Sequence, residues 1–131
     1  MDDQNFHPEL SHQLVGVAMK VHTAYGSIHK EVIYERAFKE KLLLAKIPFL
    51  SQPKIPVLSV DTKEQLGWYQ PDFLIADAII VELKSTGYPL KVHETQLRDY
   101  LKCSRYELGY VLNFGMPSLY YKRIVFSNGR K

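Results

Sequence analysis

Three residues carry the types and spacing from which a reactive centre could be built. They are Asp72, directly after Pro71, and the pair in Glu82-Leu83-Lys84. Side chains alternate faces along a strand, so Glu82 and Lys84 point the same way. If the turn between the two strands is centred on Asp77, Asp72 falls opposite Glu82 on that same face. A two-residue turn would shift the pairing by one and separate them. Two facing carboxylates repel, and a hard cation between them removes the repulsion. Mg²⁺ takes few protein carboxylates and keeps several waters. A lysine beside such a pair can orient or deprotonate a water, or neutralise charge building on a phosphate. Taken alone, the triplet reads more simply as a half-solvated strand end with an ordinary Glu–Lys pair, because Asp and Glu-x-Lys often co-occur by chance.

Other residues bear on that choice. Glu31 and Tyr34-Glu35 sit near the start of a predicted helix, where an acid favours the helix dipole or reaches a metal from outside the sheet. Gln96 and Tyr100 are four apart on a later helix and share a face. They read either as a helix flank or as an amide and a phenol holding a phosphate or a water. Asn113-Phe114-Gly115 reads as turn chemistry. Arg123 reads as a surface arginine, with phosphate contact as the alternative. Trp68 and the nine tyrosines read mostly as packing, with base stacking as the alternative. His7, His12, His22, His29 and His93 show no zinc-ligand spacing, and His29, two before Glu31, is the one histidine expected near the site. Cys103 has no histidine partner and reads as buried helix core.

The elements that must position these residues follow from hydrophobic periodicity. Leu10, Leu14, Val17, Ala18 and Val21 predict a helix over about 9–24 that Pro8 can open, and Tyr25-Gly26-Ser27 predicts its stop. Ile33, Ala37, Phe38, Leu42 and Leu44 predict a second helix over 28–46, ended by Pro48. Ile55 to Val60, bracketed by prolines, predicts an edge strand, and Asp61 to Glu64 a polar turn. Trp68–Ile75 and Ala78–Lys84 predict two strands with a tight turn at Asp77. Ile79-Ile80-Val81 implies burial on both faces. Val92–Cys103 predicts a helix, and Tyr106–Phe114 and Leu119–Phe126 two more strands. The order α-α-β-β-β-α-β-β predicts an α/β sandwich with a central mixed sheet flanked by helices.

Composition bounds the rest. The chain has 131 residues, 46% of them hydrophobic and 24% charged, which fits one globular domain over 1–131 and argues against disorder. One cysteine excludes an internal disulfide framework and a Cys-rich zinc site, and a cytoplasmic setting is expected. Met1 to Gln4 is acidic with no apolar run behind it, so no secretory signal is expected. The longest apolar stretch, Phe73 to Val81, is broken by Asp77 and too short to span a bilayer, so no membrane partner is expected. The net charge of +3 permits a nucleic-acid partner without announcing one. After Lys84 the bases Lys91, Arg98, Lys102, Arg105, Lys122, Arg123, Arg130 and Lys131 outnumber the acids Glu94, Asp99 and Glu107. On charge alone this is a solvated surface and a basic tail.

The Pro71-Asp72…Glu82-Leu83-Lys84 pattern resembles the PD-(D/E)xK nuclease superfamily, and Gln96 to Tyr100 is similar to the QxxxY motif of its RecB-like branch. Within it the chain most resembles the small GxxExxY family. Glu31-Val32-Ile33-Tyr34-Glu35, Tyr69-Gln70-Pro71-Asp72-Phe73, Val81 to Lys84, Gln96 to Lys102, Gly109 to Gly115 and Lys122-Arg123-Ile124 match that family's blocks in order, over roughly residues 10–126. One departure is that Ile28 stands where the naming glycine belongs, while Gly26 matches the earlier glycine of the same turn. The resemblance implies a restriction-endonuclease-like fold with Asp72, Glu82 and the Leu83 carbonyl as ligands of Mg²⁺ or Mn²⁺. It implies Lys84 as the group that activates water, and Glu31 as support for that metal or a second one. Gln96 and Tyr100 would orient substrate. The implied reaction is in-line hydrolysis of a DNA phosphodiester, leaving a 5′-phosphate. DNA is the expected partner, and no small-molecule cofactor is expected. A homodimer, a protein partner, and a non-cleaving nucleic-acid-binding or accessory role on the same fold stay open.

Overall fold

Leu14, Val17, Ala18 and Val21 recur one helical turn apart, and Pro8 supplies a pre-set φ at the first position. Pro8–Tyr25 accordingly forms helix α1 with those four side chains buried. The computed structural model describes residues 6–127. The acidic start at residues 1–4 and the basic end at Arg130 and Lys131 lie outside the described residues. Gly26, at φ 73°, stops α1 in a conformation that side chains with a Cβ rarely adopt.

Helix α2 spans Glu31–Leu44, three residues later than the periodicity predicts at its start. Lys30 is extended at φ −71° and ψ 155°, and the preceding loop is tied down by other bonds. The Tyr34 hydroxyl donates to the Gly26 carbonyl at 2.6 Å and accepts the His29 N–H at 3.2 Å. The Ser85 hydroxyl donates to the His29 carbonyl at 2.8 Å. Those bonds satisfy backbone groups that a longer helix would have used.

The strands are β1 (Phe49–Ser51), β2 (Ile55–Leu58), β3 (Gln65–Tyr69), β4 (Phe73–Ile75), β5 (Ile79–Lys84), β6 (Leu108–Asn113) and β7 (Tyr120–Val125), with α3 (Lys91–Lys102) between β5 and β6. A five-stranded sheet runs β1-β4-β5-β6-β7, and β2-β3 form a separate ribbon. The β5–β6 pair is parallel and the others in the large sheet are antiparallel, so the sheet is mixed. The parallel pair needs a crossover, which α3 provides.

Two expectations change here. The large sheet has Phe49–Ser51 at one edge and β7 at the other, and the Ile55 run lies instead in the two-stranded ribbon. The single strand expected over Trp68–Ile75 is two strands, because the chain leaves one sheet and enters another at Gln70-Pro71-Asp72. Pro71 has no N–H for a continuous ladder, and the Asp72 carbonyl accepts from Gln52 N–H at 2.8 Å.

The hairpin register is the expected one. Phe73 pairs with Val81, Leu74 with Ile80 and Ile75 with Ile79, which centres the turn on Asp77. Ala76 and Asp77 both have positive φ, and Ala78 N–H closes the turn on the Ile75 carbonyl at 2.9 Å. Arg105 and the Tyr106 hydroxyl each bond the Asp77 carboxylate at 2.7 Å.

The sheet is covered on both sides. Phe73, Ile75, Ile79, Val81 and Leu83 face α1 and α2, with Phe38 edge-on to Phe73 at 5.2 Å. Leu74, Ile80, Val111 and Ile124 face α3 through Leu97 and Leu101, beside Ile55 and Tyr69 of the ribbon. Ile79, Ile80 and Val81 are fully buried, as a strand covered on both faces requires. Among the described residues no helix is long and apolar enough to cross a membrane.

Candidate active site

Strand parity puts Asp72, Glu82 and Lys84 on the α3 side of the sheet, where β5 runs out. Leu83 N–H donates to Asp72 Oδ2 at 2.7 Å, and Asp72 N–H donates to Glu82 Oε1 at 3.3 Å. The two acids therefore meet across the strand pair, each held by the other strand's backbone or side chain. The second Glu82 oxygen accepts from the Tyr69 hydroxyl at 2.5 Å. Burial pushes the Glu82 carboxyl up to about 7, and the charge of Asp72 adds to the rise. The Tyr69 hydrogen bond and Lys84 work against it. Burial and the neighbouring acid push the Tyr69 phenol up, so it stays a neutral donor.

Lys84 is half-buried and acts electrostatically on Glu82, Glu31 and His93. Glu31 opens α2, and its carboxyl is raised by burial first and by Asp72 and Glu35 next, while Lys84 lowers it. Glu35 is raised by burial and by Asp72, and accepts from Gln52 at 3.3 Å. Glu31 and Glu35 thus lie within electrostatic reach of Asp72. Tyr34 is buried completely and stacks on Phe114 with centroids 4.8 Å apart. With its bonds to Gly26 and His29, that stack fixes the loop before Glu31.

Tyr100 lies flat on Tyr69, with ring centroids 3.6 Å apart and planes 7° apart. That stack links α3 to the residue bonded to Glu82. Gln96, one turn earlier on α3, is exposed, and its side chain makes no hydrogen bond among the described residues. The Arg123 guanidinium donates to the Phe6 carbonyl at 2.8 Å, and the parity of β7 turns it toward the α1 side, opposite Tyr110 and away from the acid pair.

Three expectations are corrected by these positions. His93 is a second histidine near the site: burial and Lys84 lower its pKa. Cys103 is half-buried, just past the end of α3, and its carbonyl accepts from Leu58 N–H at 2.7 Å. Asn113 is more than a turn former. It is buried and clamps the loop after β5, accepting from Thr86 and Gly115 N–H at 3.0 Å and donating to Thr86 Oγ1 at 2.9 Å. Tyr69 carries the bond to Glu82 that sequence reasoning missed. The available signal was its place three residues before Asp72, in the Tyr69-Gln70-Pro71-Asp72 block. Trp68, beside it, is 58% exposed.

Among the described residues no group of three or more His, Cys, Asp or Glu is placed to hold a metal ion. The donor set still fits a hard divalent cation that needs only one or two protein carboxylates and keeps its waters. Glu82 is mostly buried beside a second acid and holds its proton unusually tightly, a cost that a cation in the proton's place relieves. Softer metals that want imidazole or thiolate find no such set among the described residues.

The pattern that defines the PD-(D/E)XK nuclease superfamily matches residues 8–124. No curated protein and no solved structure matches the chain significantly. The mixed five-stranded sheet between helices is consistent with a restriction-endonuclease-like fold. The chain belongs to the PD-(D/E)XK nuclease superfamily.

Proposed function

We propose that this member of the superfamily is a metal-dependent deoxyribonuclease that hydrolyses DNA phosphodiester bonds in line and leaves a 5′-phosphate. The observation that carries the reading is the meeting of Asp72 with the mostly buried Glu82 at the end of β5, with Lys84 on the same face. Asp72, Glu82 and the Leu83 carbonyl would hold Mg²⁺ or Mn²⁺, with Glu31 supporting the ion from α2. A divalent cation bound there supplies Lewis acidity to a phosphate oxygen and lowers the pKa of a bound water.

The chain's own residues do the remaining work. Lys84 positions the attacking water and offsets the negative charge that grows on the phosphate. Tyr100, fixed by its stack on Tyr69, orients the substrate, and exposed Gln96 offers its amide from the same helix face. Arg123 is assigned to anchoring Phe6 rather than to phosphate contact. The blocks shared with the GxxExxY family and the RecB-like QxxxY motif support this assignment of roles, and a reducing cytoplasmic setting suits the free Cys103. Fold alone does not assign an activity, so the assignment rests on these residues.

A non-cleaving module is the second reading, favoured by the lack of a three-ligand cluster among the described residues. Lys84→Ala separates the two. The nuclease reading expects Mn²⁺ to bind the variant as it binds wild type, measured by calorimetry, while cleavage falls by about 10²-fold or more, as for loss of one charge-stabilising group. Equal cleavage by variant and wild type contradicts the role of Lys84. No cleavage by wild type on single-stranded, duplex, flapped or four-way DNA with Mg²⁺ or Mn²⁺ supports the second reading.

A further inference from the structure

A groove of about 390 Å³ runs between α3 and the edge strand β7, lined by Lys91, Glu94, Arg98 and Lys122 among others. Lys91, Arg98 and Lys122 are exposed there. The only ion pair among the described residues is Arg105 with Asp77, at the far end of the sheet. The three cations line one groove, and among the described residues no carboxylate is bonded to any of them. Glu94 is the acid in the groove, and its Oε2 accepts from the Tyr120 hydroxyl at 2.7 Å. Arg98 is held over the Phe126 ring at 5.7 Å, which orients its guanidinium.

Lys91 breaks a local rule. It occupies the first position of α3, where the helix dipole disfavours a cation, and Leu90 before it offers no side-chain cap. Such a local conflict is where a functional site is expected. The groove is also in register with the acid pair. Glu82 stands opposite Val111, and Val111 opposite Lys122, so Lys122 shares the row and the face of Glu82 with one strand between them. At about 4.8 Å per strand the separation is about 10 Å. That keeps Lys122 within reach of a phosphate flanking the one at the acid pair.

We infer that the α3–β7 groove is a binding track for the DNA backbone, in which Lys91, Arg98 and Lys122 take the phosphates next to the one at Asp72 and Glu82. The inference rests on the nuclease reading and extends it from the cleaved bond to the flanking strand. Because these cations touch phosphates, they supply affinity and alignment without reading bases.

The test is the salt dependence of binding. A short labelled DNA duplex is titrated with wild type, with Lys122→Gln and with the triple variant Lys91→Gln/Arg98→Gln/Lys122→Gln, in chelator, between about 50 and 200 mM salt. The slope of log affinity against log salt is expected to shrink by about 0.9 for each phosphate no longer neutralised, so by about 2.7 in the triple variant. Affinity is expected to fall ~100-fold or more at about 0.1 M salt. Melting temperature and Mn²⁺ affinity are expected to stay close to wild type, since all three side chains are exposed and none is bonded to Asp72 or Glu82 among the described residues. An unchanged slope in the triple variant overturns the inference, and if wild type still cleaves, the nuclease reading survives it. A reduced slope in a protein that never cleaves keeps the track and removes the nuclease reading. No duplex binding by wild type overturns the track.

Discussion

Tyr69 donates its hydroxyl hydrogen to Glu82 from the neighbouring ribbon at 2.5 Å, so the mostly buried acid of the site is held by a residue outside the five-stranded sheet. The ring that carries the hydroxyl is fixed in turn by Tyr100 of α3. One tyrosine thereby links ribbon, sheet and helix at the place where chemistry is assigned.

Tyr69→Phe keeps the stack and deletes the bond. A hydrogen bond to a charged acceptor contributes about 1.5–3 kcal/mol, so urea unfolding at about pH 8, where Glu82 is ionised, is expected to show a loss of that order. The same change removes an influence that lowers the Glu82 pKa, so the acid limb of a pH–rate profile is expected to move to higher pH. A profile that stays in place contradicts the positioning role.

Glu82 also sets a pH dependence of stability. Its carboxyl binds a proton more tightly in the folded state, at about 7, than its ordinary value of 4.5. The resulting stabilisation is complete below the ordinary value and is lost as pH rises through about 7. The metal-free protein is therefore expected to melt at progressively lower temperature from about pH 5 to 8. Glu31 and Glu35 act in the same direction. Glu82→Gln is expected to flatten much of that slope, and saturating Mn²⁺ to raise the wild-type melting temperature chiefly at the high-pH end.

Tyr34→Phe removes the bond to the Gly26 carbonyl while leaving the stack on Phe114. A loss of about 1 kcal/mol is expected by urea unfolding, together with lower activity, because the loop that delivers Glu31 loosens. Tyr34→Ala also empties a fully buried position and is expected to cost about 3–5 kcal/mol.

Two glycines give a contrast that unfolding experiments can resolve. A Cβ on Gly115 would lie 2.5 Å from the backbone of Thr86, whereas one on Gly109 would meet the Leu97 side chain at 2.9 Å. Backbone cannot step aside as a leucine tip can. Gly115→Ala is expected to cost upwards of about 1–3 kcal/mol and to disturb the loop after Lys84, with Gly109→Ala the milder of the two.

Much of this was legible in residue types and spacing. The hairpin register, and with it the meeting of Asp72 and Glu82, followed from centring the turn on Asp77. The burial of Ile79-Ile80-Val81 followed from three consecutive apolar residues. What escaped depends on packing between distant segments. Phe49–Ser51 is too short to carry a periodicity, and it becomes a strand only because β4 offers it an edge. Lys30 stays out of α2 because Tyr34 and Ser85, five and 56 positions along the chain from His29, hold that loop. The bond from Tyr69 to Glu82 required the ribbon to fold over the sheet, and no spacing rule along a single strand contains that information.

The most direct test is metal-dependent cleavage by wild type and by Glu82→Ala, run side by side on labelled DNA with Mg²⁺, with Mn²⁺ and with chelator, after circular dichroism has established that the variant is folded. Cutting by wild type only when metal is present, and no cutting by the folded variant, is the predicted result. A variant that cuts as fast as wild type contradicts the placement of the site at Glu82.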